Sequence, residues 1–234
     1  MGSYFNRYLL PVLIFILIFA FPAFSKDLTI SYIDIGQGDS ELIELPEGKN
    51  ILIDAGDNDV SNKLISYLRE RKIEKLDLVI ISHPHLDHYG GLLQTSKIIP
   101  VIQVLDSGAP TSSTTYLKLL KQFMSKKVKF KIARKGEKIN YHNGISLNIL
   151  APEDPLLKNS RSDANNASIV VRLTYNKVSF LFTGDIEAES QERLLTDKNT
   201  LKADILKVAH HGSRYTTSNE FLESIGWRRK VTIF

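Results

Sequence analysis

The sequence of 234 residues contains no cysteine. Disulfides, thiolate metal sites and cysteine nucleophiles are therefore excluded, and any metal ion must be held by His, Asp or Glu. An excess of one charge is also lacking: 30 Lys and Arg stand against 26 Asp and Glu, a formal net charge of +4. This modest positive balance permits an anionic substrate without requiring one.

Internal repeats at a fixed period are absent, and the only compositionally biased stretch lies at the N-terminus. Residues 9–21 are wholly apolar or proline, and Arg7 is the only charged side chain in residues 1–25. The run has the length of a signal peptide core and is shorter than the roughly 20 residues of a membrane span. We expect residues 1–25 to direct export to the periplasm or the outside, with retention as a membrane anchor as the second choice. Residues 26–234 are expected to form one folded domain.

The stretch Ser82-His83-Pro84-His85-Leu86-Asp87-His88 places four possible metal ligands within six residues. It follows Leu76–Ile81, a short apolar run that predicts a strand buried on both faces. Pro84 favours an extended backbone at His83, so the imidazoles of His83 and His85 can converge on one ion. Imidazole and carboxylate groups suit zinc, manganese or iron, and a pair of such ions promotes hydrolysis. The motif therefore predicts a metal site.

Three other predicted strands also end in residues that can bind metal. Asp54 closes one, Thr183-Gly184-Asp185 closes another and His210 closes a third. Each is a weak signal alone, because Asp and Gly-Asp are common in turns. Layered α/β proteins gather their active-site groups at strand ends. We therefore expect these residues to join the histidine motif.

The order of strands and helices predicts an α/β fold. Three strands between Leu28 and Asp54 should form an antiparallel meander, and the polar stretch 152–166 should be the longest loop. The pattern predicts helices over 60–71, 115–127 and 187–195, and further strands over 76–81, 101–105, 128–132, 139–141, 145–150, 168–175, 178–182, 204–208 and 231–234.

These residues together resemble a known family. The pattern His83-x-His85-x-Asp87-His88, with Gly184-Asp185 and a later His210, is similar to that of the metallo-β-lactamase fold superfamily. Within it, four segments resemble the hydrolase domain of ComEC-type DNA-internalisation competence proteins: Asp34–Ser40, Asn165–Ser168, Thr183–Glu187 and His210–Ser213. The resemblance implies a four-layer αββα sandwich from about Leu28 to the end.

The resemblance also implies two divalent metal ions, Zn or Mn, and a set of ligands. The ligands of the first ion would be His83 and His85. Those of the second would be Asp87, His88 and His210, with the adjacent His211 as the alternative to His210. Asp185 would bind both ions. Asp87 and Asp185 would act in catalysis by orienting a water or taking its proton. Asp54 would orient a ligand imidazole from outside, and Asp39 would do likewise or line the cleft.

The sequence departs from the family pattern in two places. Many members have another histidine before the strand that precedes Gly-Asp, where this chain has Asn165 and Asn166. An amide oxygen carries no charge, so we expect a weaker first metal site, or Asp163 as a substitute ligand. The resembled domains also continue past the last strand into a loop that borders the active site. Because this sequence stops within Val231–Phe234, we expect a domain shortened at its C-terminus.

The resemblance implies hydrolysis of a phosphodiester, in single-stranded DNA or another nucleic acid, and a membrane DNA-uptake system as a partner. The segment 118–138 carries nine Lys or Arg against one Glu and could follow a phosphate backbone. A solvated helix face and a lysine-guarded edge strand explain the same charges. Asn165, Asn166, His211 and Ser213 are candidates for substrate contact or alternative ligation.

Two other functions remain open, namely a small-molecule hydrolase acting on a lactam, lactone or thioester, and a DNA-binding module without catalysis. Serine chemistry through Ser213 or Ser40 is a further alternative. Neither serine lies in a Gly-x-Ser-x-Gly turn, which argues against it.

Overall fold

A computed structural model describes residues 27–213 and 216–226, and the backbone of residues 231–233. The expected signal peptide, residues 1–25, lies outside the described residues. Within the described ranges, no helix has the length and apolar character needed to cross a membrane.

The described chain is built from short strands and helices. The strands are β1 Thr29–Tyr32, β2 Glu41–Glu44, β3 Asn50–Ile53, β4 Leu78–Ile81, β5 Gln103–Asp106, β6 Lys129–Ile132, β7 Lys138–Asn140, β8 Ile145–Ala151, β9 Val170–Tyr175, β10 Val178–Phe182, β11 Ile205–Lys207 and β12 Val231–Ile233. The helices are α1 Ser61–Glu70, α2 Leu86–Tyr89, α3 Leu92–Ile98, α4 Thr114–Ser125, α5 Asp163–Asn166, α6 Ala188–Leu195, α7 Lys198–Leu201 and α8 Asn219–Ile225. A 3₁₀ turn, Ala209–Gly212, follows β11.

The described strands form two six-stranded sheets, one in the order β1-β2-β3-β4-β5-β6 and one in the order β12-β11-β10-β9-β8-β7. Strands β1 to β3 pair antiparallel, which confirms the predicted meander. Strands β3 to β6 are parallel to one another. In the second sheet, β11 lies parallel to β10. The carboxyl ends of β3, β4 and β5 therefore share one edge of the first sheet, where the histidine motif begins.

Apolar contacts on both faces of each sheet produce four layers. Ile80 of β4 and Leu173 of β9 belong to the cluster between the two sheets. Val79, its neighbour in β4, points the other way and lies with Leu68 of α1 in the outer cluster of the first sheet. Residues of β10 and β11 pack in the same way with α6 and α8. The order helix, sheet, sheet, helix confirms the expected αββα sandwich, and β4 is buried on both faces.

The structure contains helices where the sequence patterns predict none. Helix α3, Leu92–Ile98, directly follows Gly90-Gly91 at the end of the histidine motif. Helix α5 lies within the polar stretch expected to be a loop, and α8 lies beyond the His210–Ser213 segment. Ser218 caps α8 by accepting a hydrogen bond from the backbone N–H of Phe221 at 3.1 Å. That cap is a sequence signal for a helix start, and the prediction missed it.

Candidate metal centre

Asp54 connects the ends of the neighbouring strands β3 and β4. Its Oδ1 accepts the backbone N–H of Ser82 at 2.8 Å, and its Oδ2 accepts the Ser82 hydroxyl at 2.6 Å. His88 Nδ1 lies 2.8 Å from the same Oδ2 and donates to it. The carboxylate therefore holds the His88 ring so that Nε2 points away from Asp54.

The hydroxyl of Ser82 also determines which nitrogen of His83 carries the proton. A serine hydroxyl has one hydrogen, and Asp54 accepts it. Ser82 Oγ must therefore accept from His83 Nδ1, which lies 3.0 Å away. This leaves Nε2 of His83 unprotonated, 3.0 Å from His85 Nδ1 and 3.9 Å from Asp185 Oδ2. The two imidazoles of the His-Pro-His segment converge, as the motif predicts.

Asp185 comes from the second sheet, after β10. Its backbone N–H donates to Ser168 Oγ at 3.2 Å. The preceding Gly184 has φ +52°, and a Cβ there would lie 2.9 Å from the Cβ of Ser168. The glycine therefore allows a tight turn that carries Asp185 toward the first sheet. Asp185 Oδ2 lies 3.2 Å from Nε2 of His88, so ligand types from both halves of the chain meet.

The two adjacent histidines after β11 point in different directions. Both have a left-handed backbone, with φ 52°, and their ring centroids are 5.9 Å apart. His211 Nε2 lies 3.4 Å from Asp87 Oδ2 and 3.5 Å from Asp185 Oδ2. His210 Nε2 is 4.0 Å from Asp185 Oδ2, and its Nδ1 is 3.5 Å from Glu187 Oε1. The structure thus places His211 nearer than His210 to the expected partners of the second ion.

The two asparagines in the position of the family histidine are both buried. Asn166 Oδ1 accepts the backbone N–H groups of Glu187 and Ser190, so it holds the turn that carries Asp185. Asn165 Nδ2 donates to Glu187 Oε1 at 3.0 Å, and Asn165 Oδ1 is a buried atom without a hydrogen-bond partner among the described residues. Asn165 is therefore the asparagine whose oxygen is still available.

Asp163 and Ser213, two further candidates from the sequence, make no contact with the clustered ligand atoms among the described residues. Asp163 is exposed, and its carboxylate accepts the backbone N–H groups of Asn159 and Ser160, so the structure gives no support to Asp163 as the substitute ligand. Ser213 is half-buried and its backbone N–H donates to the carbonyl of His210 at 2.9 Å. It lies close to the histidine pair in the chain, but its hydroxyl makes no contact among the described residues that supports a nucleophilic role.

Two charged residues at the cluster are not predicted by the sequence patterns. Lys207 ends β11, is buried, and pairs with the carboxylate of Asp39. A lysine in a strand usually indicates a solvent-facing position, so its sequence context gives no signal. Glu187 is predicted only as the start of a helix, yet it is buried beside His210 and Asn165. A charged residue two positions after Asp185 was the available signal.

Burial and paired charges shift the pKa values of the cluster in opposite directions. Burial lowers the pKa of His83 well below its usual value, and the nearby His88 adds to this effect. Burial also opposes protonation of His88, but the carboxylates of Asp54 and Asp185 outweigh it and raise the His88 pKa. Burial also opposes protonation of His211, but the hydrogen bond to Asp39 and the nearby carboxylate of Asp87 outweigh it and raise the pKa of His211 to about 9. Protons on His88 and His211 thus balance the carboxylates, and a cation could replace them.

The chemistry of the cluster fits divalent metal ions. Nε2 of His88, Nε2 of His211 and Oδ1 of Asp185 are buried without a hydrogen-bond partner among the described residues. Four groups of described residues bring ligand atoms within 4.8 Å of one another: His83, His88 and Asp185; Asp87, His88 and His211; Asp39, Asp54 and His88; and Asp39, Asp185 and His211. Buried imidazole and carboxylate atoms that face one another in this way are the usual ligands of such ions.

The fold and this cluster agree with a comparison to known families. A model of the metallo-beta-lactamase superfamily matches residues 33–233, so the chain belongs to that superfamily, whose members are generally metal-dependent hydrolases. Its relatives include ComEC-type competence proteins. The ComE operon protein 3 of Bacillus subtilis is 28% identical over 226 residues, which cover 89% of this chain and 28% of that protein. Recombination protein 2 of Haemophilus influenzae is 28% identical over 201 residues, covering 84% and 23%.

The chain spans about a quarter of the length of these curated relatives. Among solved structures, the Rm3 metallo-beta-lactamase has a TM-score of 0.55 and 16% identity, covering 85% of this chain and 87% of its own. A metallo-beta-lactamase of Cronobacter sakazakii has a TM-score of 0.57 and 14% identity, covering 85% and 87%. At such low identity these structures show the shared fold alone.

Proposed function

We propose that this protein is a metal-dependent phosphodiesterase that acts on DNA during competence-type DNA processing. The observation that carries the proposal is the meeting of His83, His88 and His211 with Asp87 and Asp185, drawn from both sheets, in a chain related to competence proteins. The superfamily supports hydrolysis. The choice of DNA as the substrate rests on the competence relatives.

Two divalent ions, Zn or Mn, would be held by this cluster. His83 and His85 would supply the first site, Asp87, His88 and His211 the second, and Asp185 both. His210 and Asn165 lie beside Glu187 at the edge of the cluster. One of these residues would supply a further ligand for the first ion. When bound, such ions supply Lewis acidity and lower the pKa of water toward neutrality.

The two catalytic aspartates differ in access to solvent. The Asp87 side chain is 27% exposed, whereas that of Asp185 is 3% exposed. The imidazole of His211, whose Nε2 lies 3.4 Å from Oδ2 of Asp87, lowers the pKa of Asp87. The Asp87 carboxylate is therefore ionised at neutral pH and would orient a water by accepting a hydrogen bond from it. Asp185, buried and ionised beside His88, would hold the imidazoles in place and orient the water.

The basic segment 118–138 gives only limited support to DNA binding. Strand β6 within it is the edge strand of the first sheet, and all its residues are exposed. Three of the nine cations are paired with acids: Lys131 with Glu137, Arg134 with Asp154 and Lys135 with Glu153. Lysines on an exposed edge strand also protect it from pairing with other chains. The active-site chemistry and the relatives therefore support the proposal more strongly than this surface does.

We also propose that residues 1–25 direct export or anchor the domain, and that the domain works beside a membrane DNA-uptake system. The support is the apolar N-terminal run and the competence relatives. Protease protection in intact cells, with mass determination of the mature N-terminus, tests this proposal. Full-length protein confined to the cytosol would contradict it.

The test of the enzymatic proposal uses purified protein loaded with Mn²⁺ or Zn²⁺. It is assayed on end-labelled single-stranded DNA, on bis-p-nitrophenyl phosphate and on nitrocefin, beside an Asp185→Asn variant. We expect cleavage of both phosphodiesters, loss of that cleavage in the variant, and no turnover of nitrocefin. Turnover of nitrocefin alone would identify a small-molecule hydrolase. DNA binding without stoichiometric metal would identify a binding module.

A further inference from the structure

Lys207 is a buried charge that the catalytic proposal leaves without a role. It is the last residue of β11 and is 3% exposed. Its ammonium group pairs with Oδ2 of Asp39, which lies 168 positions earlier in the chain. A buried ion pair stabilises a fold poorly compared with apolar packing, because both charges lose their hydration. The pair therefore calls for a functional explanation.

Asp39 uses its other oxygen on a histidine of the cluster. Oδ1 of Asp39 lies 3.1 Å from Nδ1 of His211. Nδ1 donates that hydrogen bond, which leaves Nε2 of His211 to face the carboxylates of Asp87 and Asp185 at 3.4 and 3.5 Å. Asp39 therefore orients the His211 ring through Nδ1, in the same way that Asp54 orients the His88 ring.

The backbone holds Asp39 firmly in this place. Its N–H donates to the carbonyl of Asp87 at 3.3 Å, and its carbonyl accepts from Gly56 at 2.9 Å. Gly38, with φ +109°, comes so close that a Cβ would lie 2.1 Å from the Asp87 carbonyl oxygen. Asp39 therefore has a fixed backbone, and only its carboxylate orientation depends on side-chain partners.

A second buried acid, Glu41, lies near Lys207. Burial together with the neighbouring Asp39 raises the pKa of Glu41 well above its usual value. The ammonium group of Lys207 donates its side-chain hydrogen bond to Asp39.

We propose that Lys207 is a positioning residue: by binding one oxygen of Asp39 it keeps the other on Nδ1 of His211, and so aims Nε2 of His211 at the metal cluster. Lys207 acts on His211 through Asp39. This inference rests on the proposed metal centre, of which it names a supporting residue.

The test compares Lys207→Met, which removes the charge, with Lys207→Arg, which keeps it. Leu206→Ala, in the same strand and facing the α8 side, is the control for lost stability alone. Zn²⁺ stoichiometry and affinity are measured by titration calorimetry and elemental analysis. The imidazole N–H protons are followed by NMR, and the His211 signal is assigned by its absence in His211→Ala.

We expect Lys207→Met to lower affinity for the second ion at least about tenfold, the range found when the partner of a ligand histidine is removed. The protected His211 N–H signal should disappear with it. Lys207→Arg should restore both, and Leu206→Ala should keep both. If Lys207→Met does not fold, Asp39→Asn replaces it and should show the same two losses.

Two outcomes would overturn the inference. One is a folded Lys207→Met protein with wild-type affinity and an intact His211 signal. The other is an equal loss in Leu206→Ala, which would assign the effect to stability. Failure of the proposed function is distinguishable, because wild-type protein would then bind no Zn²⁺, while the His211 N–H signal of the metal-free protein would still report on Lys207.

Discussion

Asp185 is the residue on which the two halves of the chain converge. Its Oδ2 lies within 4.0 Å of an imidazole nitrogen of each of four histidines: His83, His88, His210 and His211. Such a carboxylate oxygen can serve two ions at once, as the family resemblance implies. The roles of the surrounding imidazoles then depend on which of them reaches a second carboxylate.

The histidine pair after β11 offers a direct test at this scale. His211 contacts Asp87, Asp185 and Asp39, whereas His210 contacts Glu187 and, at the longest distance, Asp185. We therefore expect His211→Ala to remove most of one equivalent of metal and His210→Ala to remove less. Elemental analysis of both variants after dialysis against Mn²⁺ measures this. A larger loss in His210→Ala would reverse the assignment.

Asp106 is a buried carboxyl at the end of β5 whose titration affects stability. It accepts hydrogen bonds from the Tyr116 hydroxyl and from the backbone N–H of Gly108, and burial raises its pKa to about 6. The unfolded value is about 3.9, so the native state holds the extra proton between about pH 4 and 6. That contribution to stability is present below about pH 4 and is lost as the pH rises through about 6.

Asp106→Asn removes this dependence, because an amide is neutral at every pH. From about pH 4 to pH 7 the free energy of unfolding of wild type should fall relative to the variant by up to about 3 kcal/mol, since each pKa unit corresponds to about 1.4 kcal/mol. Urea unfolding of both metal-free proteins across this range measures the difference. A difference that stays constant with pH would show that Asp106 titrates normally.

At the scale of elements, the Gly36-Gln37-Gly38 loop brings Asp39 against the helix that carries Asp87. Gly38 has φ +109°, and an added Cβ would lie 2.1 Å from the Asp87 carbonyl oxygen. Gly36 in the same loop has φ +77°, and a Cβ added there would meet no atom within 4 Å. An alanine at Gly36 would introduce backbone strain alone, whereas an alanine at Gly38 would introduce the same strain together with a steric clash.

We expect Gly38→Ala to cost more than about 1 kcal/mol of stability and to reduce metal content, since both strain and a clash displace Asp39. Gly36→Ala should carry the strain of a positive φ and keep its metal. Urea unfolding and elemental analysis of the two variants test this. Equal metal content in both would mean that close approach to Asp87 is not needed for the site.

The elements that the sequence could predict are those with a simple apolar period. Strand β4 is a continuous apolar run, and α4 has an apolar stripe with Ser113 as its cap. Helix α3 gave a poor signal, because its buried face includes Thr95 and Ser96. Ser96 Oγ bonds to the carbonyl of Leu92 at 2.6 Å, so a polar side chain is satisfied within the helix and needs no water.

The sequence predicts which types of residue form the candidate site, but it does not predict which way their side chains point. A strand end places His83 and Asp185 at the correct edge, and pattern alone identifies that edge. The choice between His210 and His211 depends on two left-handed backbone conformations in one turn, which a sequence of two histidines does not encode visibly. Lys207 was not predictable because its partner, Asp39, is distant in sequence.

At the scale of the whole molecule, the cluster lies where the two sheets meet. Asp39, Asp54, His83, Asp87 and His88 belong to the half of the chain that forms the first sheet, and Asp185, Lys207 and His211 to the half that forms the second. The sheets also share an apolar interior, whose burial stabilises their packing independently of the cluster. Ions bound at the cluster would therefore add to the stability of a sandwich that is already folded.

Removal of metal should consequently lower thermal stability without abolishing the fold. One ion present at about 100 times its Kd adds about 2.7 kcal/mol, which corresponds to roughly 5–10 °C in Tm for a domain of this size. We expect a chelator to lower Tm by this order, added Mn²⁺ or Zn²⁺ to restore it, and Asp185→Asn to show little change with either treatment. Calorimetry with and without chelator measures the shift, while far-UV circular dichroism confirms that the strands persist. An unchanged Tm in wild type would contradict a metal bridge between the sheets, whereas complete unfolding would mean that the apolar interior is too weak to hold them alone.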